Sequence, residues 1–273
     1  MRTQKISISF FLALAVLWSC QLVAQNPYSR DFNMPLSKPN ETGTLKVDLH
    51  MGGVTVEGYS GKEVLITMIS QPDEDGEEDS DRSKEGLKRI PNSSMDFEIA
   101  EENNVVYIKG SHKGRTDFKV KVPRQFSLDL STHHDGEVKV TDVTGEIEVD
   151  AHHGGMELIN VGGTVVADTH HGDITVSFSS IKSGVPMAFS TYHGDVDITF
   201  PGNTNATMKM KSDKGDIYTD FDLTANRPET RLENTGDNPK KIEISSWIYS
   251  NIGNGGPEFM FTTHHGDIIL RKK

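Results

Sequence analysis

Residues 147–176 read IEVDAHHGGMELINVGGTVVADTHHGDITV, and this stretch decides the fold. Ile147, Val149 and Ala151 alternate with Glu148, Asp150 and His152 up to a Gly-Gly corner. The pattern then repeats: Val165, Ala167 and Thr169 lead to His170-His171-Gly172-Asp173, and Ile174 and Val176 follow. Strict period-2 alternation is the mark of a half-buried strand, and Gly-Asp or Gly-Gly supplies the backbone freedom of a tight corner. Copies of the motif start at positions 133, 152, 170, 192 and 213, with steps of 19, 18, 22 and 21 residues. Further copies occur at His50–Val56 and His264–Leu270, and the copy at His133 carries one extra residue. A step of roughly 20 residues fits one coil of two or three short strands. The expected fold is therefore all-β, a parallel β-solenoid.

Composition agrees. The 273 residues are 34% hydrophobic and only 7% aromatic, with 25 Gly, a profile of many short strands rather than a bulky helical core. A net charge of −12 makes nucleic acid an unsuitable partner. A single Cys excludes a disulfide scaffold and a multi-Cys zinc site. At the start, Arg2 and Lys5 precede an apolar run from Ile6 to Trp18, too short for a membrane-spanning helix of ~20 residues. Residues 1–24 read as a signal peptide cleaved after Ala24; alternatively, Leu17-Trp18-Ser19-Cys20 serves as a lipobox and leaves a lipid on Cys20. Either route exports the chain to the periplasm or cell surface, and no transmembrane segment is expected in the mature protein. Residues 25–42 read as an extended linker and 43–273 as one solenoid domain. An acidic loop at 71–91 interrupts it, too charged to pack. A regular last repeat implies an open sheet edge, blunted by Arg271-Lys272-Lys273.

Val122-Pro123-Arg124, then Leu128 and Leu130, then the run from Gly136-Glu137-Val138 through Gly172-Asp173-Ile174, resemble a bacterial β-strand-repeat family of unknown function, often labelled “putative adhesin”. The resemblance spans roughly residues 43–270. It implies a right-handed β-solenoid, exported or envelope-associated, and offers no catalytic residues. The family pattern has small polar residues where this chain carries His pairs.

Parity then assigns faces. With Ile147, Val149 and Ala151 inward, Asp150 and His152 point outward, and so do His50, His133, Asp168, His170, Tyr192, Asp213 and His264. His134, His153, His171, His193 and His265 form a second column at the corner, whose direction parity does not fix. Neighbouring coils lie ~4.8 Å apart, and two imidazoles on one zinc ion have nitrogens roughly 3.3 Å apart. Tilting side chains can close that gap. His133, His152, His170, Asp150 and Asp168 are thus candidate ligands for Zn²⁺, Cu²⁺ or Ni²⁺. Two other readings stay open: repeats simply copy a residue that a turn tolerates, or stacked imidazoles sense pH. Asp173, Asp195, Asp216 and Asp267 look like repeated acids but sit where turns ordinarily place Asp. Met187, Met208 and Met210 share the inner parity and read as core. Outward Tyr192 and Tyr218 suggest a small sugar platform. Without a nucleophile motif or a phosphate loop, the chain reads as no enzyme and as having no cofactor. It reads as a scaffold or adhesin-like binding module of the bacterial cell envelope, its partner an envelope protein or surface polymer. The alternative is a periplasmic transition-metal-binding protein.

Overall fold

Strands that alternate in this way have one apolar face to hide and unpaired backbone groups along both edges. Parallel stacking answers both needs. The structure is a computed structural model that describes residues 29–70, 97–110, 114–134, 136–223 and 247–273. It also describes the backbone of a short antiparallel pair, Arg231–Glu233 and Lys241–Glu243. The acidic insertion expected at 71–91 and the signal segment 1–24 lie outside the described residues.

The fold is all-β, with two large sheets. One runs, edge to edge, through Ser29–Pro35, Glu63–Ser70, Thr116–Pro123, Val54–Tyr59, Val138–Thr141, Met156–Val161, Ile174–Phe178, Val196–Phe200, Ile268–Lys272 and Ile217–Thr219. The other runs through Glu98–Glu102, Val105–Lys109, Thr44–Met51, Ser127–His134, Glu146–His153, Thr164–His171, Met187–His193, Glu258–His265, Ala206–Ser212 and Ile248–Ile252. A rung is one strand from each sheet, joined at a Gly corner, as Glu146–His153 is joined to Met156–Val161. Pairing between rungs is parallel and in register, with Val149 beside Leu130 on one side and Ala167 on the other. Among the described residues of the two large sheets, antiparallel pairing occurs toward the ends of the stack.

Burial follows the alternation. Ile147, Val149 and Ala151 are buried while Glu148, Asp150 and His152 are exposed. The inner residues of both sheets form one core cluster, which includes Met187, Met208 and Met210 as expected. Toward one end the core is aromatic: Phe189 stacks on Phe261 at 5.2 Å and Phe178 on Phe200 at 5.4 Å. Phe200 meets Phe261 edge-on at 6.2 Å. Phe261 joins Phe178, Phe189 and Phe200 from a rung distant in sequence.

Rung order departs from chain order at both ends. The rung of Thr44–Met51 and Val54–Tyr59 lies between that of Val105–Lys109 and Thr116–Pro123 and that of Ser127–His134 and Val138–Thr141. The last rung, Glu258–His265 and Ile268–Lys272, is inserted between Met187–Phe200 and Ala206–Thr219. The expected open edge at Arg271–Lys273 is therefore incorrect. Arg271 clamps Asp197 of the neighbouring strand, Nε to Oδ1 at 2.8 Å and Nη2 to Oδ2 at 2.7 Å. The physical reason is that every rung presents the same alternation, so any rung fits beside any other. The expected linker at 25–42 also needs correction, because Ser29–Pro35 is an edge strand, antiparallel to Glu63–Ser70. Pro35 ends it at a position where a missing N–H is tolerated.

The corners are held by two hydrogen-bond ladders. Asp173 Oδ1 accepts the backbone N–H of Asp195, Asp195 Oδ1 that of Asp267, and Asp267 Oδ1 that of Asp216, each at 2.8 Å. Inside, Thr169, Thr191 and Thr263 donate to the carbonyls of Gly154, Gly172 and Gly194 at 3.2, 3.0 and 2.9 Å. Close stacking leaves no room for a side chain at the first corner position, which Gly fills. Gly194 has φ +147°, and a Cβ there would collide with the Gly172 carbonyl oxygen. Gly184, at φ +79°, has open space around its Cβ direction. Gly194→Ala is expected to lose about 2–4 kcal/mol by urea denaturation, from strain plus overpacking. Gly184→Ala is expected to lose only about 1 kcal/mol. Equal losses would contradict the corner packing described here.

Candidate functional site

In the second sheet the strands that carry the motif run out of apolar residues just before the corner, and the two motif side chains project at the outer edge. In-register stacking turns them into two columns. Along the first, ring centroids are separated by 5.7 Å from His50 to His133, 5.4 Å to His152, 5.2 Å to His170, 5.1 Å to Tyr192 and 4.7 Å to His264. Along the second, His134, His153, His171, His193 and His265 follow at 5.7, 4.9, 4.9 and 4.5 Å. Parity left the second column undirected, and the structure lays it beside the first. Ring pairs within a rung meet edge to face, as at His152–His153 and His264–His265, both 4.5 Å.

The columns end on charged residues. Asp213 and Lys214 occupy the motif positions of the next rung. The His264 Nδ1–H donates to Asp213 Oδ2 at 2.7 Å, and Lys214 Nζ donates to His265 Nε2 at 3.4 Å. The copy Asp213-Lys214-Gly215-Asp216, which has no His, was the sequence signal for this terminus. In chain order it would follow Tyr192-His193. The inserted last rung displaces it by one place and keeps the ring-bearing rungs contiguous from His50 to His264.

The structure therefore brings His133, His152 and His170 together, with Asp150 and Asp168 paired side by side two residues back. Stacking limits what this column does as it stands. His152 and His170 are 5° from parallel, and an imidazole binds metal in its own plane through Nδ1 or Nε2. Parallel planes a rung apart share no such point. Among the described residues, no three His, Cys, Asp or Glu side chains converge as a metal-holding group. The stacking also covers both faces of Tyr192, between His170 and His264, so the expected sugar platform is not formed there. Tyr218 lies on the other sheet.

Crowding makes three of the imidazoles reluctant to take protons. His152, His171 and His265 are all held below the ordinary imidazole value. For His152, loss of solvent comes first, then repulsion from His153, His170, His133 and His134. For His265, loss of solvent is followed by the Lys214 ammonium. Asp213 moves down as well, held chiefly by the hydrogen bond from His264 and then by Lys211.

Residues 124–246 match the family model described as Toastrack DUF4097. Over that stretch the chain is similar to the Toastrack family. The Toastrack match starts at the Pro123-Arg124 step and takes in the rungs from Ser127 to Thr219. Both inserted rungs lie outside it. Solved structures similar to the chain include a “putative cell adhesion protein” from Clostridium sporogenes, 15% identical, covering 90% of this chain and 100% of that one, with a TM-score of 0.46. Another is a “putative adhesin” from Bacteroides fragilis, 10% identical, covering 90% and 97%, with a TM-score of 0.28. Likenesses of this size carry no functional argument. No curated protein matches the chain.

The lowered imidazole values fix a sign for pH dependence. Below about pH 6.5 the unfolded chain binds more protons at these residues than the folded one, so acid favours unfolding. This contribution to stability is complete above the unfolded value and is lost as pH falls towards the folded ones. In metal-free buffer the Tm is expected to be lower at about pH 5 than at about pH 7.5, and His152→Asn should narrow the difference. A Tm unchanged between the two would contradict the crowding.

Proposed function

We propose that the protein is an exported, non-catalytic β-solenoid scaffold, an adhesin-like binding module of the bacterial cell envelope. Its coils are right-handed and of roughly 20 residues. The observation that carries this reading is the use made of the outer carboxylates. Asp173, Asp195 and Asp267 are the residues a polysaccharide-cleaving β-solenoid would need as acids, and here each accepts the corner N–H of the next rung. Their oxygens hold the stack together. Export is supported by the basic start at Arg2 and Lys5 and the apolar run from Ile6 to Trp18. Among the described residues, no helix is long and apolar enough to cross a membrane. A rigid stack with a regular outward lattice suits contact with an envelope protein or surface polymer.

Fractionation of the native host tests the reading. The chain is expected in the envelope fraction, beginning at Gln25 or bearing a lipid on Cys20, and a chain without residues 1–24 is expected to stay in the cytoplasm. The mature chain should bind isolated envelopes and keep that binding when His133, His152 and His170 are all Asn. A cytoplasmic full-length chain, or polysaccharide turnover lost on changing one particular Asp, would overturn it.

A further inference from the structure

Neighbouring residues on a strand point to opposite faces, so a His-His dipeptide ordinarily separates its imidazoles. Here the second His falls where the chain turns into its Gly corner, and both rings stay at the outer edge. In the rung of Thr164–His171 they make direct contact. His170 Nδ1 lies 2.8 Å from His171 Nδ1, with ring centroids 4.4 Å apart and planes at 61°. We propose that this paired edge of the two columns binds a divalent transition-metal ion, His170 and His171 supplying two ligands through Nδ1, with Cu²⁺ or Ni²⁺ preferred to Zn²⁺.

The contact itself supports this. Two ring nitrogens at 2.8 Å share one proton, the lone pair of one aimed at the N–H of the other. When both neutral rings carry their proton on Nε2, both lone pairs face the same gap, and modest rotation of the two rings turns them to a cation seated about 1.5 Å to one side of the N···N line. The spacing also chooses among metals. With metal–nitrogen bonds of about 2.0–2.1 Å, nitrogens at this separation subtend about 84–89° at the ion. That is the cis angle of square-planar or tetragonal Cu²⁺ and Ni²⁺, whereas tetrahedral Zn²⁺ asks for about 109°. The pair is thus distinct from ligands taken along one column, whose parallel rings share no in-plane point.

Rung order supports it independently. Tandem copying would leave His-bearing rungs wherever the chain placed them. Instead the rungs of His50 and His264 come from distant parts of the sequence to join the column, and the rung with Asp213 and Lys214 is moved to its end. The site sits inside a nitrogen-rich edge, with the rings of His153 and His193 each 4.9 Å from His171. With no third ligand converging among the described residues, the ion keeps open coordination positions. Such a site takes up and releases metal at an exposed edge.

The test uses the mature chain without an affinity tag, titrated with Cu²⁺, Ni²⁺ and Zn²⁺ by calorimetry and with Cu²⁺ by electron paramagnetic resonance. The expected result is Cu²⁺ bound with a nitrogen-coupled tetragonal signal, and Ni²⁺ bound more tightly than Zn²⁺. The double variant His170→Asn with His171→Asn should weaken the tightest Cu²⁺ binding by about tenfold or more. The control His133→Asn with His134→Asn, whose rings are 5.6 Å apart, should keep it. If the first double variant does not fold by circular dichroism, His171→Asn alone should show the same loss. Binding no tighter than about 1 mM, equal losses in target and control, or Zn²⁺ bound more tightly than Ni²⁺ would each overturn the proposal.

Discussion

Everything in this molecule depends on one rung lying directly over the next in register. That arrangement pairs the backbone on both sides of each interior strand, closes the core around Val149, Ala167 and Phe189, and lines up the corners. The corner is where register is set most sharply. An Asp carboxylate outside and a Thr hydroxyl inside each reach the backbone of an adjacent rung. A net contribution of about 1 kcal/mol is typical of such a hydrogen bond, so one matters little and a ladder matters a great deal. Sliding a strand by one residue would lose the ladder and turn Ile147 and Val149 outward.

The imidazole columns are a consequence of that register and a load upon it. Ring stacking at 4.5–5.7 Å is favourable while the rings are neutral. Protonation turns the same closeness into repulsion. The capping residues fit this picture: Asp213 accepts from His264 at the end of one column and Lys214 donates to His265 at the end of the other. A purely ornamental repeat has no need of charge-matched ends.

Much of this was legible in the sequence, because period-2 alternation fixes which side of a strand is apolar. Leu45, Val47 and Leu49 had to be inside, and His152 and His170 had to be outside in one column. Three features were not legible. The order of rungs was hidden because Leu45 fits as well beside Val106 as beside Leu128, and the structure uses both contacts. The direction of His153 and His171 was hidden because parity fails at a corner. Ser29–Pro35 was hidden because three prolines between 27 and 39 read as a linker, while an antiparallel edge strand needs only Phe32 and Met34 on its packed side. In each case the missing information was tertiary, a choice among locally equivalent neighbours.

The most direct measurement is therefore of which rung follows Tyr192. In the chain beginning at Gln25, which has no thiol of its own, Cys can be placed at Tyr192 and His264, or at Tyr192 and Asp213. Adjacent strands ~4.8 Å apart fall within the 4.4–6.8 Å Cα range a disulfide spans. Mild oxidation is predicted to link 192 to 264 and to leave 192 and 213 reduced. A link from 192 to 213 with none to 264 would mean that the rungs stack in chain order, and the sorted imidazole ladder would not exist.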